Sequence, residues 1–395
     1  MAVHDSVPED SGRASMFYDP RIRGIFFQLL LIAFVIFLGY EIVSNTIANL
    51  ERQNIASGFA FLDTTAGFGI IQSLIDYAEQ SSYGRALIVG FLNTLLIAFI
   101  GIILATILGF IIGIARLSPN WVISRIAYVY IEIIRNIPLL LQIFFWYFAV
   151  LRAVPNPRDS VQIGESVFLN NRGIFAPRLL FESGSNIAVI AFLVALLGIF
   201  AVSHWARKRQ EATGQQFPVF WASVGLIVGL PLVALLATGF PLGLDYPVLK
   251  GFNFQGGIKV TPEFMALLLA LTIYTASFIA EIVRAGILAV SHGQTEAAHA
   301  LGLRQGHTLR LVVVPQAMRV IIPPLTSQYL NLTKNSSLAV AIAYPDLVSV
   351  GGTILNQTGQ AIEIIGIWMV VYLSLSLLTS AFMNWYNHRM ALVER

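Results

Sequence analysis

Residues 87–115 read LIVGFLNTLLIAFIGIILATILGFIIGIA, and no charged side chain interrupts them. Asn93, Thr94 and Thr106 are the only polar residues in the run. An α-helix rises about 1.5 Å per residue, so this stretch is longer than the roughly 30 Å hydrocarbon core of a bilayer. It therefore tilts, or begins outside the membrane. The spacing of Gly101, Gly109 and Gly113 gives it a face on which another helix can pack closely. No soluble helix reads this way.

Seven further stretches meet the length and polarity of a span: 24–43, 126–150, 186–203, 217–240, 264–287, 320–344 and 363–385. The chain is thus expected to be all-α and multispanning, with about eight transmembrane helices. Stretch 320–344 is the weakest, because Pro323, Pro324 and the run Lys334-Asn335-Ser336-Ser337 fall inside it. Composition agrees. The 395 residues are 56% hydrophobic and 11% charged, where a soluble domain carries about 25% charge. The net charge of +3 is too small and scattered for nucleic acid, and without cysteine there is no disulfide, thiol nucleophile or thiolate metal site.

Flanking charge sets the orientation, because short cytoplasmic loops retain Lys and Arg. With the N-terminus inside, 14 basic residues fall in internal segments and 8 in external ones. Arg207-Lys208-Arg209, in a short loop, is the sharpest local evidence for that bias, and both termini are expected in the cytoplasm. The apolar run 24–43 exceeds a signal-peptide core of 7–15 residues, so it reads as an uncleaved first span. Of the long external loops, 45–86 holds a candidate amphipathic piece at Ile70–Tyr77, while 151–185 has weak periodicity.

The longest internal loop reads SHGQTEAAHALGLRQGHTLRLVVVPQAM over residues 291–318. Thr295 can cap a short helix, Glu296 suits its positive end, and Gly302 can terminate it. Ala297, Ala298, Ala300 and Leu301 give that helix a smooth apolar surface suited to a groove on a partner. A second short helix, Thr308 to Val314, is expected to stop before Pro315. EAAHALG, nine residues and then VVVP resemble the EAA loop of permease subunits in bacterial ATP-binding-cassette importers. In that family the loop couples the permease to its ATPase, which implies coupling roles for Glu296, Ala297, Ala298, Gly302 and Pro315.

Other segments extend the resemblance to the polar amino acid permeases: GFLNTLLIA at 90–98, RNIPLLLQ at 135–142, AEIVRAGI at 280–287 and IIPPLTSQYLNLTKNSSLA at 321–339. Residues 84–150 and 263–395 then correspond to a five-helix permease core containing the coupling loop 291–318. Residues 1–83 add a helix and an external loop, and 151–262 insert two more helices. This enlarged layout resembles the broad-specificity L-amino-acid importer permeases. The resemblance implies ATP-binding subunits, a second permease (identical or homologous), a periplasmic amino-acid-binding protein and an amino-acid substrate at a bacterial inner membrane. An ion-coupled transporter and a non-transporting scaffold are the competing classes.

Hydrolysis must belong to a partner. A P-loop needs a lysine after glycine, and none of Lys208, Lys250, Lys259 or Lys334 follows one. No cofactor or metal is expected in this chain. His292, His299 and His307 are too widely spaced for a zinc pattern, and no GxSxG or HExxH string marks a hydrolase. Charges within spans are costly and commonly face the interior or a water-filled path. Glu132 with Arg135, and Glu281 with Arg284, lie three apart and can neutralise each other or touch substrate. Lys334, with Asn335 and Ser336, has two readings: a contact on the translocation path, or a donor to carbonyls freed by Pro323 and Pro324.

Overall fold

The computed structural model describes residues 20–52, 58–182 and 184–390. The flanking charges Arg13 and Arg395 lie outside the described residues. Helices α1 (Pro20–Arg52), α2 (Tyr83–Arg116), α3 (Trp121–Asn136) and α4 (Leu139–Phe144, continued by a π-helical stretch Phe145–Leu151) come first. An inserted pair follows, α5 (Asn186–Thr213) and α6 (Val219–Ala237). Then come α7 (Pro262–Leu288), α8 (His292–Ala300), α9 (Gln305–Thr308), α10 (Val314–Asn335), α11 (Leu347–Thr358) and α12 (Ala361–Met390). Among the described residues, seven helices are long and apolar enough to cross a membrane, or eight with the bent pair α3–α4 counted as one span.

The core is built on α2 and α7, which run in the same direction. Gly109 of α2 meets Ala276 and Ile279, and one turn later Gly113 meets Ala280 and Val283. A Cβ at Gly113 would stand 2.7 Å from the Ala280 carbonyl oxygen, so the backbones approach as only glycine permits. Between apolar helices in lipid, such close packing replaces the hydrophobic effect as the attraction. α10 runs back along both, with Ile321 against Gly286 and Leu332 against Gly101. At the opposite end of α2, Leu347 at the start of α11 packs on Gly90.

Several local expectations give way to tertiary structure. Stretch 126–150 is not one straight helix; α3 and the α4 segment meet at 105°. The residue before a proline is pushed out of the helical region, and Ile137, before Pro138, has φ −98° and ψ 125°. Gln142 stabilises the break, donating to the carbonyls of Ile134 (3.0 Å) and Ile137 (2.9 Å). By contrast, Pro323 and Pro324 do not interrupt α10, because packed neighbouring helices tolerate the freed carbonyls of a membrane helix. Its α-helical path ends only at Ser336, where a tighter 3-10 stretch Ser336–Ile342 takes over. Ile70–Tyr77 is not helical; Asn93 Nδ2 holds it by donating to the Gln72 carbonyl at 2.8 Å.

The insertion adds strands outside the helices. β1 (Val161–Ile163), β2 (Val167–Asn170), β3 (Gly173–Ala176) and a last strand, β8 (Ile258–Val260), form an antiparallel sheet in that order. Pairing of Ile174 with Val260 brings the two ends of the insertion together. β4 (Arg178–Phe181) pairs β5 (Leu242–Asp245) above the α5–α6 hairpin, and β6 (Val248–Lys250) pairs β7 (Asn253–Gln255). Phe254 stacks on Phe168 and Phe175 as the sheet's small core. The strands are three or four residues long, too short for alternation to be read from sequence.

Candidate functional site

Between α7 and α10 the chain projects α8 into the open. α8 begins at His292, so Thr295 lies inside the helix and does not cap it, and Ser291 precedes it without a side-chain cap. Gly302, at φ +77°, turns the chain out of the helix. The amide of Gly302 donates to His299 (2.9 Å) and that of Leu303 to Ala298 (3.1 Å), which satisfies the last carbonyls. Ala298 is buried and anchors the helix, while Glu296 and Ala297 face outward. Glu296 Oε1 accepts from His292 Nδ1 at 3.0 Å.

Leu301, taken from sequence as part of a smooth surface, is instead an apolar knob 82% exposed. The second short helix does not stop before Pro315. α9 passes through a π-helical turn, Leu309–Val313, directly into α10, with Pro315 in its first turn. Thr295, His299, Gln305, Thr308 and Val313 line a cavity of about 460 Å³ between these pieces.

The intramembrane charges separate into two levels. Glu281 and Arg284 form a two-pronged ion pair, half-buried, close to the end of α7 that leads to α8. Arg135 does not pair with Glu132; its guanidinium lies 5.0 Å above the Phe278 ring. Glu132 is exposed, and among the described residues it has no ion pair. Lys334 stands elsewhere. Its neighbour Leu332 packs on Gly101, and Glu281 lies level with Gly113, so the two levels are about 18 Å apart along α2.

Lys334 is exposed, on the last turn of α10, eleven residues beyond Pro323. That separation excludes the carbonyls freed by the prolines as its partners. Asn335 is half-buried beside it, whereas Ser336 is fully buried and donates to the Thr333 carbonyl at 2.7 Å. Lys334 and Asn335 can therefore meet a ligand together; Ser336 is turned inward.

A polar cluster that sequence reasoning passed over sits where α11 meets α2. The Leu347 amide donates to Thr94 Oγ1 at 3.0 Å, and Asn93 Nδ2 donates to the Pro345 carbonyl at 2.9 Å. Asp346, fully buried, accepts from the Ser349 amide at 2.8 Å and so caps α11. Tyr344 OH donates to the Asn93 carbonyl at 3.2 Å. The signal was present as Asn93-Thr94 in an otherwise apolar run.

Residues 212–392 match the family described as the binding-protein-dependent transport system inner membrane component. The chain is 58% identical over 381 residues to the general L-amino acid transport system permease protein AapQ of Rhizobium johnstonii, covering 96% of this chain and 95% of that one. It is 52% identical over 380 residues to the putative amino-acid ABC transporter permease protein YhdX of Escherichia coli K12, covering 96% and 97%. A third relative is the glutamate/glutamine/aspartate/asparagine transport system permease protein BztB of Rhodobacter capsulatus, 45% identical over 428 residues that span both chains completely.

Proposed function

Because this chain belongs to the amino-acid ABC transporter permeases, we propose that it forms one half of a translocation pathway driven through α8 by a separate ATPase. It is a multispanning inner-membrane subunit of an amino-acid importer. The observation that carries the coupling role is α8 itself. An exposed helix, shut by Gly302 and tipped by Leu301, joins two spans that pack on each other through Gly286 and Ile321.

In this reading the α8 side is cytoplasmic, both termini lie there, and the inserted sheet is external. ATP binding closes the ATPase dimer, whose clefts hold Glu296, Ala297 and Leu301. Displacement of α8 reaches α7 and α10 together, because Gly302 and Pro315 hold the loop to one shape. A second permease, identical or homologous, supplies the other wall, and a periplasmic amino-acid-binding protein delivers substrate from outside. Lys334 and Asn335 face the amino acid's carboxylate midway, while Glu281, Arg284 and Arg135 form the inner charge layer; Glu132 is left outside it.

The test is capture of the purified ATPase subunits by the full chain in detergent. Gly302→Leu and Leu301→Asp are expected to reduce capture at least tenfold. Undiminished capture by both variants would remove α8 from the coupling role.

A further inference from the structure

At the turn joining α2 to α3, two arginines share one aromatic ring. The guanidinium of Arg116 lies 4.7 Å from the centre of Tyr128, and that of Arg125 lies 5.1 Å from it. Arg116 Nη1 also donates to Ser124 Oγ at 3.2 Å, which fixes its direction. Among the described residues neither arginine has an ion pair. The carboxylate that acts on Arg116 from a distance, Glu281, is already gripped by Arg284. Two like charges on one ring repel, and among the described residues no carboxylate forms an ion pair with either.

Arg116, Trp121, Ser124, Arg125 and Tyr128 line an open cleft of about 200 Å³. α3 begins at its rim, with Asn120 Oδ1 accepting from the amides of Val122 and Ile123, so the helix dipole adds positive potential there. Trp121, 75% exposed, stands at the same rim, where tryptophan marks the headgroup level of a bilayer. From it an apolar stripe leads away along α3. Val122, Ile126, Val129 and Ile133 are all exposed and share one helix face.

We infer that this turn binds an anionic phospholipid. Arg116 and Arg125 hold the phosphate, and the acyl chains lie along Val122, Ile126, Val129 and Ile133. Because α2 and α7 end on the same side, the site belongs to the leaflet facing α8. A carboxylate of the ATPase would satisfy the arginines equally well but would leave the adjoining apolar stripe unexplained; a lipid accounts for both.

The test measures phosphatidylglycerol binding to the purified full chain in detergent by native mass spectrometry, beside phosphatidylcholine and inorganic phosphate. Each basic residue near an anionic headgroup contributes roughly a fivefold gain in affinity. Arg125→Gln is therefore expected to weaken phosphatidylglycerol about fivefold, and Arg116→Gln with Arg125→Gln about thirtyfold. Phosphatidylcholine should bind more weakly and respond little to either change. Arg125 is exposed and its side chain makes no hydrogen bond among the described residues, so its single variant carries the test even if the double variant fails to fold. Unchanged phosphatidylglycerol affinity in Arg125→Gln would overturn the inference. So would inorganic phosphate binding as tightly as the lipid, or loss of ATPase capture with lipid binding intact. Transport by the wild-type chain is a separate measurement, so failure here leaves the importer reading standing.

Discussion

Arg135 lies 5.0 Å above the ring of Phe278 and leaves Glu132, one turn earlier on α3, without an ion pair among the described residues. A charge over an aromatic face is worth about 0.5–2 kcal/mol, so Arg135→Gln should lower the thermal stability of the complex by that order. Glu132→Gln should leave it within about 0.5 kcal/mol, as for surface changes generally. Equal losses from the two, measured by thermal unfolding, would restore the Glu132–Arg135 pair.

At Gly113 the backbone of α2 touches α7, and a side chain would meet the Ala280 carbonyl and Val283. Gly113→Leu should force the helices apart and cost about 1–3 kcal/mol or more. The expected result is membrane insertion with loss of a stable purified complex. A variant that purifies and melts like wild type would show that the interface has slack.

The amide of Leu347 is buried against Thr94 Oγ1. Thr94→Val keeps the shape and removes the acceptor, which orphans the amide at a cost of about 1–3 kcal/mol. Thr94→Ser should recover most of the loss. Thermal unfolding of both variants checks this; equal stability for valine and threonine would mean that water replaces the hydroxyl.

These sites show which parts of the fold a sequence displays. Residues 87–115 leave no alternative to a spanning helix, and an exposed helix closed by Gly302 follows from local chemistry alone. What stayed hidden depended on partners distant in the chain. Glu132 and Arg135 have the spacing of a pair, but Phe278 of α7 takes the arginine. Pro323 and Pro324 look like a break, yet α10 runs through them, whereas a single Pro138 bends its span by 105°. Asp346 gave no signal because one acid in a short loop has no pattern, and its role exists only against Ser349 and α2.

The Lys334 side chain is exposed and makes no hydrogen bond or ion pair among the described residues, so removing its charge should not disturb packing. A charge-assisted hydrogen bond to a carboxylate contributes about 1.5–3 kcal/mol. Lys334→Met should therefore reduce amino-acid uptake roughly ten- to a hundredfold with full assembly, and Lys334→Arg should be milder. Full uptake at full assembly by Lys334→Met would take Lys334 off the pathway.

The chain has no cysteine, so single cysteines report topology cleanly. An impermeant thiol reagent, applied to cells with a permeable outer membrane, should label Ser160→Cys and spare Arg209→Cys. Labelling at Arg209→Cys would invert the proposed orientation.

The central claim is tested most directly by uptake into vesicles holding the purified permease pair and ATPase, with binding protein and radiolabelled amino acids supplied on the binding-protein side. Uptake is expected only with ATP on the α8 side, unaffected by collapse of ion gradients, and abolished by Gly302→Leu in a chain that still inserts. Uptake that runs on an ion gradient without ATP, or that survives Gly302→Leu, would contradict the account.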